Sequence, residues 1–344
     1  MKVLFSGYKN PHFMAVTDYI EIGLKEMGHE VHFFDYRSYL LPGRIRDRVP
    51  ALERWDLRRL NGSLRERARA LKPDLFLVAG GHTIEPETIQ AAKSAGATTA
   101  LWTADYPHLI DIYIKLAPHY DRCFVSGSDA LSDHRAAGNE RTQVLPFGCL
   151  PDLHKPMTLD AGDKARFSCD VFFAGTAYPD RVTALEAIAE IGGLELAIWG
   201  PCWEDLAPGH PLKRFVRGGP LNSIDYVKAA SACKIAFNHI GGFGHMENRA
   251  RIRMANSRLY ELLGCGACQL VDAKEDVVDA FPSGRELVWF KDRDDMLRLV
   301  RLYLGDDKER AAIGRRARES AVAVHTYRLR LTALIAACGL SGRS

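Results

Sequence analysis

Residues 256–272 read "NSRLYELLGCGACQLVD". An amide, Asn256, precedes apolar residues at helical spacing, small residues then interrupt the run, and a short apolar stretch ends at Asp272. The pattern predicts a helix, a tight turn and a buried strand. The same alternation recurs through the chain. "KVLFSG", "HEVHFFD", "DLFLVAGG", "TTALWTAD", "RCFVSGS" and "TQVLPFG" are β-rich, and most are separated by helix-length segments such as "HFMAVTDYIEIGLKEMG". Repeated β-α-β order predicts a parallel sheet covered on both faces.

From residue 146 the texture changes: "PFGCLPDLHKPMTLDAGDKA" holds three prolines and little periodicity, as a linker does. Alternation restarts with "CDVFFAG", "LELAIWG", "RFVRG", "KIAFNHI", "CQLVD" and "RELVWF", and a nearly continuous helical pattern follows from residue 292. The chain therefore reads as an α/β protein. Residues 1–150 and 166–320 are its two domains, 151–165 the linker, and 321–344 a C-terminal helix packing back on the body.

The chain has 344 residues, 47% apolar and 26% charged, and its net charge of +3 gives no argument for nucleic acid, so no nucleic-acid partner is expected. No run approaches 18 apolar residues and "MKVLFSGYKN" is too short a signal-peptide core, so a cytoplasmic protein without a transmembrane segment is expected. Eight scattered cysteines lack the density of a secreted disulfide scaffold. One segment departs from neutrality: in residues 43–72 ten basic residues stand against four acidic ones, an excess of six. It reads either as a solvated helix face or as a patch toward an anionic acceptor or a membrane surface.

Dinucleotide and P-loop signatures are absent. The turn after the first strand has Gly7 alone where the pyrophosphate fingerprint needs three glycines, and no glycine-rich loop ends in Gly-Lys-Ser/Thr. The run Asp292-Arg293-Asp294-Asp295 opens a helical segment, where acids cap and complement the dipole, so no metal site is expected.

The stretches "DVFFAGTAYPDR" (170–181), "KIAFNHI" (234–240), "NSRLYELLGCGACQLVD" (256–272), "RELVWFKDRDDMLRLVRLYL" (285–304) and "HTYRLR" (325–330), taken together, resemble nucleotide-sugar glycosyltransferases of the GT-B type, in particular the spore-maturation CgeB-like group. "LWTADYP" (101–107) extends the resemblance more loosely into the first half. It implies two Rossmann-like domains facing across a cleft, with a UDP-, dTDP- or GDP-sugar donor held by the second and no further cofactor. The acceptor, whether glycan, protein or small molecule, stays open.

Within that resemblance, Gly175 and Thr176 follow a strand and precede a helix, where backbone N–H groups can approach a diphosphate. Arg181 lies one turn into that helix and could meet phosphate oxygens or pair with a surface acid. Asn256 is placed to cap its helix; the resemblance adds contact with donor phosphates, shared with Arg258. Glu261 would accept hydrogen bonds from ribose hydroxyls, or form a salt bridge with Arg258 three residues earlier. Asn238 would line the same site, and "HIGGFGHMENR" (239–249) would be a mobile loop closing over the donor. Related retaining transferases carry a second glutamate eight residues before the ribose-binding one. Here that position is Arg253, an arginine that could stabilise a departing diphosphate.

Cys265-Gly-Ala-Cys268 follows a helix and precedes a strand, the reverse of thioredoxin order, so packing rather than redox chemistry is expected. Asp105 and, second, His82 end strands of the first domain, where an acceptor base would sit. His12 and His108 fall in loops near the same edge, and His325 either serves a motif or packs in the core. The reading is a metal-independent glycosyltransferase. A nucleotide-sugar epimerase of GT-B fold and a non-catalytic nucleotide-sugar-binding protein are the alternatives.

Overall fold

The computed structural model describes residues 1–46, 48–103, 106–241 and 252–342. Two six-stranded sheets form, and every strand pair in both is parallel. The first contains β1 (Lys2–Gly7), β2 (Glu30–Asp35), β3 (Leu75–Ala79), β4 (Thr98–Thr103), β5 (Arg122–Val125) and β6 (Thr142–Val144), in the order β2-β1-β3-β4-β5-β6. The second contains β7 (Cys169–Ala174), β8 (Leu196–Trp199), β9 (Val216–Gly218), β10 (Cys233–Asn238), β11 (Gln269–Asp272) and β12 (Val288–Phe290), in the order β12-β11-β10-β7-β8-β9.

Both faces of the inner strands are covered, which is why sequences such as Leu75–Ala79 and residues 171–174 are continuous apolar runs rather than alternating ones. Val171 and Phe173 pack into one core layer of the second sheet, while Phe172 and Ala174 pack into the other. In each sheet the first strand lies inside, so strand order reverses between β1 and β3 and between β7 and β10. Crevices at the carboxyl ends of such switch points are where open α/β sheets bind ligands.

The chain separates into two compact units, one of residues 1–10, 15–146 and 328–344, the other of 11–14 and 147–327. Residues read as a linker include a helix, Ala161–Phe167, capped by Asp160, whose carboxylate accepts from the Asp163 N–H at 2.7 Å. The long C-terminal helical pattern divides into Arg293–Leu304, Asp307–Val324 and Tyr327–Ala337. Asp292 and Asp306 cap the first two through the N–H groups of Asp295 and Glu309, both at 2.9 Å.

The CGAC turn is a helix stop. Ala267 N–H donates to the Leu262 carbonyl and Gly266 N–H to Leu263, the paired bonds of a Schellman motif, with Gly266 at φ +66°. All eight cysteines are free thiols, and burial pushes Cys265 up and Cys268 up to about 12. A Cβ on Gly314, in the helix Asp307–Val324, would come within 2.2 Å of the Gly266 carbonyl oxygen, so two glycines let this turn touch that helix.

His154 lies beneath the same helix. Its Nδ1 accepts from the Leu150 N–H at 3.1 Å, and its carbonyl accepts from the Arg318 guanidinium at 2.6 Å. Burial, helped by Arg318, lowers the imidazole to about 4. The unfolded chain, at an ordinary imidazole value, therefore binds more protons between that value and about 4. Stability is full above the unfolded value and is lost as pH falls through the window, by up to about 1.4 kcal/mol per pH unit. Urea unfolding at a series of pH values should show this loss, and His154→Gln should reduce it, leaving the shares of the other lowered imidazoles, His29, His134 and His239.

Candidate functional site

The switch point of the second sheet is built around Arg181. This residue lies in the helix Pro179–Ala189, which follows β7, and is 7% exposed. Its Nε donates to the His239 carbonyl at 3.2 Å, one terminal nitrogen to Ile240 at 3.2 Å and the other to Thr176 at 3.3 Å. One side chain thus joins the turn after β7 to the turn after β10. Among the described residues no carboxylate lies in ion-pair contact with it. Burial first, and then the charge of Arg258, pull its guanidinium down to about 10.

The turn after β10 is gripped from its other side by Asp272 at the end of β11. Its carboxylate accepts from the Ile240 N–H at 2.6 Å and the Gly241 N–H at 3.2 Å, and meets Lys274 Nζ at 3.2 Å. His239 Nδ1 stands 3.8 Å from that carboxylate, and burial lowers the imidazole despite it.

The quoted stretch supplies the rest. Asn256 caps the helix Ser257–Gly264, accepting from the Leu259 N–H at 3.0 Å. It also exchanges two bonds with Asn238, at 3.0 and 2.9 Å, and the Asn238 amide donates to Gln269 at 2.8 Å. The helix N-terminus is thereby locked to β10 and β11. Arg258, in the first turn, has a buried Nε with no hydrogen-bond partner among the described residues. Burial raises the Tyr226 phenol well above its ordinary value, and the Arg258 guanidinium beside its hydroxyl acts in the opposite direction. An orphan such as Arg258 Nε in a folded interior calls for an explanation, and a bound acceptor supplies one. Glu261 is 8% exposed. Burial raises its carboxyl, with Arg258 and then the Ser257 hydroxyl acting in the opposite direction. Among the described residues no ion pair joins Arg258 to Glu261.

Not every expected residue acts as expected. The N–H of Gly175 is held by the Trp199 carbonyl at 2.9 Å, so it is not open to a phosphate, and its own carbonyl accepts from Trp203 Nε1 at 2.7 Å. Its backbone instead touches Gly200, where a Cβ would fall 2.1 Å from the Gly175 oxygen. Thr176 contributes its carbonyl to Arg181. Asn238 and Asn256 are structural first, with their oxygens committed to each other and to the helix cap. Arg253 is exposed and pairs with Glu275 at 3.1 Å, in an ordinary surface bridge. His325 packs its ring against Tyr260 and Phe281, with centroids 5.6 and 5.2 Å away, which accounts for it as core. Asp272, Tyr226 and His239 were missed by sequence reasoning. Asp272 could have been found by the rule that selected Asp105, since it ends a parallel strand.

In the first unit, His82 follows β3 at that sheet's own switch point and sets its ring edge-on to Tyr36, with centroids 5.8 Å apart. Asp105 and residues 242–251, most of the expected mobile loop, lie outside the described residues. Among the described residues, no three His, Cys, Asp or Glu side chains gather as metal ligands would.

Residues 181–336 match a family described as Glycosyl transferase-like. No curated protein matches the sequence. Three solved structures are similar over essentially their whole length. Sucrose-phosphate synthase from Thermosynechococcus elongatus gives a TM-score of 0.70 at 11% identity, covering 100% of both chains. Anabaena Alr3699/HepE in complex with UDP-glucose gives 0.64 at 12%, covering 98% of this chain and 99% of that one. The E. coli trehalose-6-phosphate protein bound with UDP-2-fluoro glucose gives 0.67 at 11%, covering 98% and 99%. These likenesses show the GT-B fold, and the family match supports a glycosyltransferase.

Arg181→Lys should separate the two duties of this arginine. A lysine cannot reach three carbonyls, and leaving two of them unmatched should cost about 3 kcal/mol in urea unfolding at neutral pH.

Proposed function

We propose that the protein is a glycosyltransferase of the Leloir type, CgeB-like, which moves a sugar from a nucleoside-diphosphate sugar to an acceptor hydroxyl without a metal ion. The observation that carries this reading is the guanidinium pair. Arg181 and Arg258 bring two positive charges to one switch point, with no carboxylate in ion-pair contact with either among the described residues and with Arg258 Nε unmatched. A diphosphate is an anion of suitable charge and acceptor geometry.

In the proposed reaction the bond from the anomeric carbon to the diphosphate oxygen breaks, and its electron pair stays on that oxygen. The developing charge falls on Arg258 and Arg181, the role a metal ion plays elsewhere. The acceptor oxygen bonds to the anomeric carbon and gives its proton to a base, for which His82 is the described candidate and Asp105 the other. Glu261, ionised on binding, would accept from the ribose hydroxyls. UDP-sugars are the first donors to try, because two of the similar structures carry them.

Calorimetry with UDP-, GDP- and dTDP-sugars tests the reading. One donor class should bind, and Arg258→Gln should weaken it at least roughly tenfold, the loss of one charged hydrogen bond. Glu261→Ala should weaken the nucleoside diphosphate but not inorganic pyrophosphate. If no nucleotide sugar binds, or if Arg258→Gln binds it as tightly as the parent, the proposal fails. Donor turned over without any acceptor, followed by NMR of the sugar, would point to an epimerase instead.

A further inference from the structure

Residues 43–72 hold nine arginines. Three turn back onto the protein, Arg46 stacks over the Tyr39 ring at 3.7 Å, and Arg69 is exposed near the far end of the helix. Arg59 bonds Asp56 at 3.0 Å and the Ser38 carbonyl at 2.7 Å, Arg65 meets Glu85 at 3.2 Å, and Arg67 donates to the Phe33 carbonyl at 3.1 Å. Arg44, Arg48, Arg54 and Arg58 do not: all four are exposed and make no ion pair among the described residues. Interleaved with them are four exposed apolar side chains, Leu40 at 63%, Ile45 at 46%, Val49 at 42% and Trp55 at 49%. Of the five tryptophans, Trp55 alone is exposed.

The cluster is held in place rather than frayed. Asp56, wholly buried, accepts from the N–H groups of Leu40 at 2.9 Å and Leu41 at 3.0 Å, which ties the chain leaving β2 to the helix Pro50–Leu71. That helix buries Asp56, Leu60, Leu64 and Ala68, so at 100° per residue Trp55 lies on the side away from them. Leu40, through Asp56, and Val49, the residue before the helix, are thus both fixed at its N-terminal turns, which also carry Arg54, Trp55 and Arg58.

We infer that this surface docks on an anionic lipid bilayer: Trp55, Leu40, Ile45 and Val49 enter the headgroup boundary while Arg44, Arg48, Arg54 and Arg58 meet lipid phosphates. Charge selects this occupant. A second copy seated face to face would bring four arginines against four with the exposed Glu53 among them, which is a net repulsion. A nucleic acid would satisfy the arginines but gives three exposed aliphatic side chains nothing to enter. Aliphatic and tryptophan side chains ringed by arginine are the combination that suits an interfacial surface. No described helix is long and apolar enough to cross a membrane, so the contact is with the bilayer surface. This docking does not depend on the transfer reaction, and its test needs no substrate.

The test is co-sedimentation of the full chain with phosphatidylcholine vesicles, with and without phosphatidylglycerol. Binding should require phosphatidylglycerol and fall as salt rises. Each arginine of the four changed to Gln should weaken partition roughly fivefold. Trp55→Ser should weaken it roughly tenfold and abolish the blue shift of tryptophan emission on vesicles. All these side chains are exposed, and circular dichroism should show each variant folded. The inference is overturned if phosphatidylglycerol vesicles are not bound, or if they are bound equally by Trp55→Ser and the Gln variants. It is also overturned if the chain dimerises without lipid and Trp55→Ser abolishes the dimer, or if duplex DNA is bound more tightly than the vesicles.

Discussion

Three bonds from Arg181 to main-chain carbonyls are the constraint on which the second unit's site depends. Those carbonyls belong to the turn after β7 and the turn after β10, the two strands between which sheet order reverses. A parallel sheet leaves carbonyls exposed at such a reversal, and a buried arginine satisfies three of them at once. The cost is a positive charge in an apolar setting, visible in the lowered guanidinium. Arg258 nearby adds a second positive charge. Asp180 and Asp272 offset part of it at Arg181, and Glu261 interacts with Arg258, but among the described residues none makes an ion pair with either guanidinium, as a bound anion would.

A second layer makes the arrangement rigid. The Asn238–Asn256 exchange joins the end of β10 to the start of the helix that carries Arg258 and Glu261, and Gln269 extends the tie to β11. Asp272 holds the N–H groups of the turn whose carbonyls Arg181 holds. Arg258 is therefore presented by a helix whose first turn is fixed on two sides. Such preorganisation is what electrostatic stabilisation of a leaving group requires.

Local sequence carried much of this. The β-α alternation gave two parallel sheets because period and length are local properties. The caps at Asn256, Asp292 and Asp306 follow from residue type and position. The grouping of Arg181, Arg258 and Glu261 at one edge came from resemblance, and the structure brings Arg181 and Arg258 close enough for each to feel the other's charge. Other features depend on register between distant segments and were not legible. The amide exchange needs Asn238 to lie beside the end of a later helix, and the use of Gly175 needs Gly200 to come within contact. The glycine after a strand read as a phosphate turn because the local pattern is the same; its N–H was taken by a neighbouring strand. The CGAC turn is explained by Gly266 and Gly314, a long-range pairing, and not by the cysteines. In residues 43–72 the count of charges was legible, but not which arginines face inward.

The central claim is that a diphosphate completes the Arg181–Arg258 site. A crystal structure with the bound nucleoside diphosphate that calorimetry selects measures this directly. A phosphate oxygen is expected within hydrogen-bond distance of Arg258 Nε, with the three Arg181 bonds to Thr176, His239 and Ile240 intact. A diphosphate bound elsewhere, with Arg258 Nε still unmatched, would contradict it.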